Sequence, residues 1–459
     1  MNKKKVVGLV LGIIIVTIFF FIQPSEALTV EALRFIGIFL AMIVFMICDT
    51  LPQHITVLLA LCALVISKSV PVATALSFYG NTVVWFAVAI FAMAAAMAKT
   101  GVLKRLALNI MKVFPETYVG TVLAMSVAGL VIGPTMATGQ AKMGIMSPLS
   151  CSLAEEMGYE AHSRPAAGLF SAAYVPAVVA SCAFITGSTM YSFTGGYLGR
   201  TYSFGSWLSL TFVWMTVLFI LNVVFCAIYY KPAEDSKPIP KGFIKKRASE
   251  LGPMTGDEKF AATVLIIALI LWMTESAHGI SNTIIAILAV IAFSAKGIFT
   301  VQDFSTKISW VTFTIMGGIM TITACLSSLG ITDWLGGAMA PYFGWAGNIW
   351  GLVPVTCIVT FALRYVIISQ NGLLAIVFAL FGPLAMSNGI DPFVVVWCAY
   401  MGTMAWALPF NNTIYLGAQA ATGGYIEHKD QVATNYAFYV YHIVGCLASI
   451  PLWKVMGLW

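Results

Sequence analysis

Long apolar stretches alternate with short polar turns along almost the whole chain. Many of them approach the roughly 20 residues that a helix needs to cross a bilayer. They are continuous, and so lack the alternation of apolar and polar positions that a transmembrane β-strand shows. The pattern predicts an all-α integral membrane protein with about 11 transmembrane helices. The apolar stretches are residues 6–22, 35–48, 55–66, 85–98, 118–132, 166–191, 207–230, 260–273, 284–293, 311–326, 350–368, 394–415 and 436–453.

Composition and charge support a lipid environment. Of the 459 residues, 60% are hydrophobic and 9% are charged, whereas soluble domains carry about 25% charged residues. The net charge of +6 is too small to suggest a nucleic-acid partner. By the positive-inside rule, we expect a multi-pass protein of a cell (inner) membrane with a cytoplasmic N-terminus. The basic clusters behind this expectation are Lys3, Lys4 and Lys5, and Lys241, Lys245, Lys246 and Arg247.

The two halves of the chain resemble each other. Residues 231–258 form one long, proline-containing polar segment, which we interpret as a cytoplasmic linker. Ser188-Thr189-Met190-Tyr191 recurs as Asn412-Thr413-Ile414-Tyr415, and Gly195-Gly196-Tyr197 recurs as Gly423-Gly424-Tyr425. Residues 1–230 and 259–459 are therefore predicted to be two repeats. An odd number of crossings in each would make them inverted, as in many secondary transporters.

Each half contains a region in which glycine, proline and polar residues interrupt an apolar stretch. The first predicts a re-entrant hairpin near residues 133–158, and the second a hairpin near 365–388. Symmetry would bring the two tips together, and hydroxyls, amides and helix N-termini there would suit a carboxylate or another oxyanion. The alternative is a pair of packing kinks with polar caps. The candidate substrate-binding residues of the tips are Thr138, Gln140, Lys142, Ser369, Gln370 and Asn371.

Small polar residues interrupt a further apolar stretch in each half, at residues 186–189 and 409–413. They add Thr189, Asn412 and Thr413 to the substrate-binding candidates. Hydroxyl, amide and carbonyl oxygens could also coordinate sodium, although ordinary interhelical hydrogen bonds would explain either stretch alone. The candidate sodium ligands are Thr138, Gly139, Ser188, Ser369, Asn371 and Asn411.

The charges near the tips favour an anionic substrate. Acidic residues fall almost entirely at the ends of the apolar stretches, whereas Lys142 lies at the first tip and Arg364 just before the second. A cation in lipid is costly, so we expect both to face a cavity, although Arg364 could instead extend to the membrane interface. The nine cysteines form no CxxC pair, and we interpret them as small buried apolar residues.

The sequence argues against an enzyme. It contains no His-Glu-x-x-His, Gly-x-Ser-x-Gly or phosphate-loop motif. A transporter without a nucleotide site must use a gradient, so we expect a secondary transporter. An integral membrane enzyme or scaffold, or a channel, is the alternative from another class.

The architecture resembles the divalent anion:sodium symporter family of the ion transporter superfamily over nearly the full chain. The shared features are a short N-terminal extension, two inverted repeats and a hairpin in each. Pro409-Phe410-Asn411-Asn412-Thr413 is similar to the family's unwound segment. The family carries Ser-Asn-Thr at each tip, whereas Thr138-Gly139-Gln140-Ala141-Lys142 and Ser369-Gln370-Asn371-Gly372 depart from that motif. The resemblance implies a homodimer, an elevator motion and two sodium sites.

We therefore expect a carrier of organic anions, most simply di- or tricarboxylates such as malate, succinate, 2-oxoglutarate or citrate. The expected partners are this anion, the lipid bilayer and a second copy of the chain, with no cofactor except sodium as a coupling ion. One hypothesis is that the Lys142 ammonium replaces a bound sodium, which would leave an exchanger or a uniporter-like carrier. The alternative within transport is a carrier of sulfate or another small solute.

Overall fold

The computed structural model describes residues 3–25, 28–232, 242–331, 334, 347–367, 369–408 and 411–459. Among these residues the only extended pairing is an isolated bridge between Ser25 and Leu28, so the predicted all-α class is confirmed. The helices of the first half are α1 Lys3–Phe21, α2 Val30–Cys48, α3 Gln53–Ile66, α4 Val72–Ser77, α5 Thr82–Thr100, α6 Val102–Met111, α7 Tyr118–Ile132, α8 Gly139–Glu156, α9 Arg164–Tyr174, α10 Met190–Leu198 and α11 Phe204–Tyr229. Those that follow are α12 Phe243–Ser249, α13 Gly256–Met273, α14 Glu275–His278, α15 Asn282–Ala295, α16 Val301–Lys307, α17 Trp310–Ser328, α18 Ile349–Arg364, α19 Gln370–Ser387, α20 Phe393–Thr403, α21 Thr413–Ala420 and α22 His428–Val455.

Eight of the described helices are long and apolar enough to cross a membrane. A bent pair, Val301–Lys307 with Trp310–Leu326 at an angle of 59°, raises this number to nine if it counts as one span. Four shorter apolar helices among the described residues, α3, α15, α18 and α20, fall below this length. The expected count of about eleven is therefore not confirmed.

The order of helices is similar on the two sides of the linker. The predicted repeat would pair α2, α3, α4 and α5 with α13, α15, α16 and α17, and α7–α11 with α18–α22, in the same order along the chain. The inverted orientation of the two repeats stays a prediction. Within the linker, residues 233–241 lie outside the described part of the chain, and α12 and the start of α13 follow them.

The helices form two groups, which we call the hairpin bundle and the frame. The hairpin bundle comprises α7–α11 and α18–α22, and the frame comprises α1–α6 and α13–α17. Within the hairpin bundle, α11 packs along α22 and α8 packs against α21. Within the frame, α5 packs on α15 and α3 on α17, whereas α10 contacts both α5 and α17 across the boundary.

Large aromatic side chains fill the interior of the hairpin bundle. Trp207, Trp214 and Trp397 are fully buried and meet edge to face, with ring centroids 5.6 Å and 5.1 Å from Trp397. The Trp453 indole N–H donates to the Leu210 carbonyl at 2.8 Å, which joins α22 to α11. Rigid rings of this size pack with little loss of conformational entropy, so they hold these helices in one arrangement.

The two halves of the hairpin bundle are also tied together at their polar ends. After α8, His162 lies 3.1 Å from the Asp430 carboxylate at the start of α22. After α10, Arg200 forms an ion pair with Asp391, which follows α19. In each case the loop that leaves one hairpin contacts the loop that leaves the broken helix of the other half. These contacts cross-brace the first half of the bundle against the second.

Candidate functional site

The first tip is made by the end of α7 and the start of α8. Helix α7 ends at Ile132, a 3-10 turn with Pro134 follows, and α8 begins at Gly139. A Cβ atom on Gly139 would lie 2.3 Å from the Ile414 side chain. Only glycine therefore allows the first tip to approach α21 of the second half this closely.

The first broken helix faces this tip. Helix α9 passes into a π-turn at Val175–Val179, where Pro176 removes a backbone N–H, and then into a 3-10 turn at Ala180–Ala183. The chain is unwound up to the start of α10. A Cβ atom on Gly187 would lie 2.0 Å from the Ser181 carbonyl oxygen, so the unwound segment folds back directly onto the preceding turn.

Lys142 joins the first hairpin to this unwound segment. Its ammonium donates to the Ser181 hydroxyl at 2.8 Å and to the Gly187 carbonyl oxygen. The side chain is only 1% exposed. Among the described residues no carboxylate lies within ion-pair distance of this ammonium, so its charge is balanced only by dipoles.

The second tip carries the polar residues predicted for it, but they have different tasks. The Ser369 hydroxyl caps α19 by accepting from the Gly372 N–H at 2.9 Å. The Gln370 amide donates to the Thr403 carbonyl at 3.1 Å, which ties the tip to the end of α20. The Asn371 amide donates to the Gln53 side chain of the frame at 3.4 Å. Ile368 lies outside the described residues.

The second broken helix is held by Asn412. Its amide N–H donates to the Met404 carbonyl at 2.6 Å, and its Oδ1 atom accepts from the Ile414 and Tyr415 N–H groups at 3.0 Å each. One side chain therefore closes the unwound loop and caps α21. Pro409 and Phe410, which belong to the same predicted segment, lie outside the described part of the chain.

Arg364 joins the second hairpin to the second unwound segment. Its guanidinium donates to the Asn411 carbonyl and, at 3.2 Å, to the Ile367 carbonyl, while the Asn411 amide returns a hydrogen bond to the Arg364 carbonyl. Because Arg364 is 0% exposed, the alternative that it extends to the membrane interface is wrong.

A cavity of about 290 Å³ lies between the two tips and the two unwound segments. This is near the lower end of the range of ligand sites, about 300–1,000 Å³, as expected for a small solute. Of the predicted site residues, those that line it are Thr138, Gly139, Gln140, Lys142, Ser188, Thr189, Gln370 and Thr413.

The other four predicted residues do not line this cavity. The side-chain oxygens of Ser369 and Asn412 accept hydrogen bonds from backbone N–H groups. The Asn371 amide contacts the frame, and the Asn411 amide donates to the Arg364 carbonyl. Ser369, Asn411 and Asn412 thus support the backbone near the cavity, whereas Asn371 joins the second tip to the frame. A polar residue at a helix start caps that helix as readily as it binds a ligand, which is why the pattern alone did not separate the two roles.

The sequence reasoning missed several residues of the cavity wall. Ser309 lies in the break before α17 and Thr312 in the first turn of this helix, and their hydroxyls are 2.7 Å apart. Their signal was a polar interruption next to an apolar stretch, similar to those that marked the tips. Other wall residues lie in or beside apolar helices and carry no such signal; examples are Phe91, Cys182, Tyr400 and Met404.

The lining of the cavity favours an anion. It contains one cationic side chain, several hydroxyls and amides, and no acidic side chain among the described residues. Helix α8 adds its free N-terminal N–H groups, because the Thr138 side chain makes no capping hydrogen bond. By contrast, Ser369 caps α19 and Asn412 caps α21. The first tip therefore offers the strongest positive potential of the site.

A separate cluster of thiols lies deep in the hairpin bundle. The sulfur atoms of Cys357, Cys398 and Cys446 are within 4.8 Å of one another, next to His442. The His442 ring is already engaged on both sides, since Nδ1 faces the Trp214 indole N–H at 3.0 Å and Nε2 the Cys398 carbonyl at 2.9 Å. These contacts are those of a packed core. Not every cysteine is buried as expected, because Cys62 is exposed on α3.

A bundle of apolar helices that encloses a small polar cavity between two broken helices defines the class of membrane carriers. Comparison with known proteins identifies the family. The model of the sodium:sulfate symporter transmembrane region matches residues 3–459. The chain therefore belongs to this family, the divalent anion:sodium symporters, as the sequence resemblance predicted.

Curated relatives are similar over the full chain. Dicarboxylate transporter 1 of Spinacia oleracea chloroplasts is 23% identical and aligns with 100% of this chain and 82% of its own length. Inner membrane protein YbhI of Escherichia coli is 25% identical, with coverage of 100% and 98%. The putative malate transporter YflS of Bacillus subtilis is 22% identical, with the same coverage.

Solved transporters share the fold. The YdaH transporter of Alcanivorax borkumensis has a TM-score of 0.56 at 13% identity, with 84% of this chain and 88% of that chain covered. MtrF of Neisseria gonorrhoeae has a TM-score of 0.58 at 12% identity, with coverage of 99% and 95%. At these identities the likeness concerns the fold alone. The chain is thus a multi-pass membrane transporter of the divalent anion:sodium symporter family.

Proposed function

We propose that this transporter is a secondary active carrier of organic dianions, and that it binds a dicarboxylate in the cavity between the two hairpin tips. The observation that carries the proposal is the buried Lys142 ammonium, which lines the cavity and has no acidic partner among the described residues. A buried cation without an ionic partner is costly, so an anion bound beside it would be stabilised. Relatives named as dicarboxylate and malate transporters support this choice of substrate.

The two ends of the cavity suggest how such a molecule is held. One carboxylate would lie at the N-terminus of α8, close to Lys142, whose ammonium has three N–H donors and spends two of them on Ser181 and Gly187. The other end would meet the neutral donors Gln370 and Thr413. This division gives one strong charged contact and one set of weaker contacts, which suits substrates that share a carboxylate but differ at the far end.

We propose an elevator motion for the translocation step. The cavity lies where the hairpin bundle meets the frame, because Phe91, Ser309 and Thr312 of its wall belong to the frame. A cross-braced bundle moves more easily as one body than in parts. Its sliding surface includes Gly196, where a Cβ atom would lie 2.7 Å from Met320 of the frame. Displacement of the bundle along the frame would carry the substrate from one side of the membrane to the other.

Assembly and orientation belong to the same proposal. We propose a homodimer held through the frame, and a cytoplasmic N-terminus in an inner membrane. Light scattering after size exclusion of the purified protein would show two chains per particle, and a single chain would contradict the homodimer. A cysteine-accessibility experiment from the two sides of inverted vesicles would decide the orientation.

A thermal-shift series on the purified full-length protein tests the substrate. Malate, succinate and 2-oxoglutarate should raise the unfolding midpoint in a saturable manner, since a ligand that binds only the folded state stabilises it by mass action. Monocarboxylates of similar size should have a much weaker effect. Because the matching family model is described as a sodium:sulfate symporter region, sulfate belongs in the same series. Stabilisation by sulfate alone would replace the dicarboxylate proposal.

The same series on Gln370→Ala and Lys296→Ala locates the effect. Gln370 lines the cavity, whereas Lys296 is exposed at the end of α15 and is not among the lining residues. The dicarboxylate shift should become smaller in the first variant and remain in the second. An equal shift in both would place the binding site elsewhere.

A further inference from the structure

The frame contributes two hydroxyls to a cavity that the hairpin bundle otherwise encloses. Ser309 lies in the break between α16 and α17, and Thr312 lies in the first turn of α17. Both line the cavity together with residues of the two hairpin tips. Because α16 and α17 meet at an angle of 59°, a helix of the frame begins beside the cavity.

This hydroxyl pair has one hydrogen to donate. The Ser309 hydroxyl accepts from the Thr312 N–H at 3.2 Å, and the two hydroxyl oxygens are 2.7 Å apart. Two hydroxyls carry two hydrogens, and the bond between them uses one. In the part of the chain that the structure describes, no further acceptor lies within hydrogen-bond distance of either hydroxyl. A carboxylate oxygen in the cavity would be a strong acceptor for the second hydrogen.

The break before α17 lies at one particular end of the frame. Lys99, near the end of α5, forms an ion pair with Asp303 of α16. Arg105 of α6, the next helix along the chain, forms an ion pair with Glu258 at the start of α13. The linker runs directly into α13, so the break lies at the end of the frame to which the linker is attached. We call this end the linker end.

We propose that Ser309 and Thr312 bind the far carboxylate of the substrate, beside Gln370, in one end state of the carrier only. The proposal rests on the proposed function, from which it takes the dicarboxylate and the displacement of the hairpin bundle. In the state described by the structure, the substrate would bridge the bundle and the frame at the linker end. When the bundle moves, Lys142 and Gln370 travel with the substrate, whereas the two hydroxyls stay behind with the frame.

This division makes the two hydroxyls determinants of affinity rather than of translocation. Their contact with the substrate must break before the bundle moves, so it stabilises the bound state and not the transition state of transport. Thr312→Val should therefore raise KM for malate in proteoliposomes and leave the maximal rate unchanged or higher. An unchanged KM with a lower maximal rate would assign Thr312 to the packing of the frame and overturn the inference.

A disulfide across the boundary allows binding to be measured in the described state alone. A Cβ atom on Gly196 would lie 4.0 Å from the Met320 Cβ atom, within the range of about 3.5–4.5 Å that disulfides require. Oxidation of the double variant Gly196→Cys, Met320→Cys should stop transport, and a reductant should restore it. The oxidised form, which we call the locked protein, should still bind labelled malate in equilibrium dialysis. The single variant Gly196→Cys is the control for oxidation of the native cysteines.

The locked protein gives the decisive comparison. Adding Thr312→Val should raise the dissociation constant for malate by about tenfold, as expected for the loss of a hydrogen bond to a charged group. Thr312→Ser keeps the hydroxyl and should bind malate as the locked protein does. Thr314→Val is the matched control, because the Thr314 hydroxyl donates to the Trp310 carbonyl of its own helix and does not line the cavity.

The two proposals fail in different ways. If malate binds neither the reduced nor the locked protein, the proposed function is wrong. If the locked protein binds malate equally well with and without Thr312→Val, the proposed function stands and the role of the frame hydroxyls is wrong. Transport by fully cross-linked protein would contradict the displacement of the bundle and overturn the inference. If the double variant fails to fold, KM and the maximal rate of Thr312→Val decide alone.

Discussion

The substitution Gly187→Ala tests whether the first unwound segment folds back as closely as the structure shows. The added Cβ atom would lie 2.0 Å from the Ser181 carbonyl oxygen and 2.9 Å from its carbon atom. Both are backbone atoms, so neither can rotate out of the way. Overpacking of this kind costs about 1–3 kcal/mol, and the segment must shift to relieve it. The shift moves the Gly187 carbonyl that accepts from Lys142.

The effect should appear in two measurements. In detergent, the unfolding midpoint of Gly187→Ala should fall by several degrees. Malate affinity should fall by about tenfold or more, since 1.4 kcal/mol corresponds to a factor of ten in a dissociation constant. Gly144→Ala is the matched control, because a Cβ atom on this exposed position of α8 has nothing within 4 Å. There alanine should be neutral or stabilise the helix by up to about 1 kcal/mol.

Two results would refute this reasoning. A Gly187→Ala variant with the wild-type midpoint and affinity would show that the segment does not approach Ser181 closely. An equal loss of stability in Gly144→Ala would show that the hairpin tolerates no substitution, and the effect at Gly187 would then lose its specific meaning.

Three further substitutions test the supports of the site and of the linker. Asn412→Ala removes one donor and one acceptor from the second unwound segment. Transport should therefore fall below a tenth of the wild-type rate, and the unfolding midpoint should drop by the equivalent of about 1–2 kcal/mol. Transport at the wild-type rate would contradict a role of Asn412 in closing the loop. Gln370→Leu removes the hydrogen bond to Thr403 and a neutral donor of the cavity. KM for malate should therefore rise severalfold, with little change in protein level. An unchanged KM would place the substrate away from the second tip. Arg105 forms an ion pair with Glu258 and donates to the carbonyls of residues 251–253. Arg105→Ala should therefore make the segment before α13 cleavable by trypsin at the nearby lysines, while transport persists. Unchanged cleavage would contradict the role of Arg105 in holding this segment.

Much of the architecture was predictable from the spacing of apolar residues. A lipid solvent requires every backbone group in a span to be paired within the helix, so long apolar stretches translate directly into helices such as α5 and α11. The same constraint makes interruptions informative. Gly133-Pro134 coincides with the turn after α7, and the polar run that begins at Ser369 coincides with the start of α19. A glycine or proline at this depth is tolerated only near a cavity or a neighbouring helix.

Local pattern could not assign a task to each polar residue. Thr138 and Ser369 are both small hydroxyl residues at a helix start, yet Ser369 caps α19 while Thr138 leaves α8 uncapped. The difference depends on backbone angles and on neighbours far away in the chain. For the same reason neither interpretation of Arg364 was correct. Its side chain is buried against Asn411 and does not reach the membrane interface, but it does not line the cavity either.

The sequence by itself determined the class of the protein, the positions of the helix breaks and the sign of the charge near the first tip, since each is a property of a short stretch in lipid. Only the tertiary structure decided which atoms face each other. The contact of Lys142 with the Gly187 carbonyl joins residues from different helices, and the walls contributed by Phe91 and Thr312 come from the frame. Such contacts arise from the packing of whole helices, which no local pattern records.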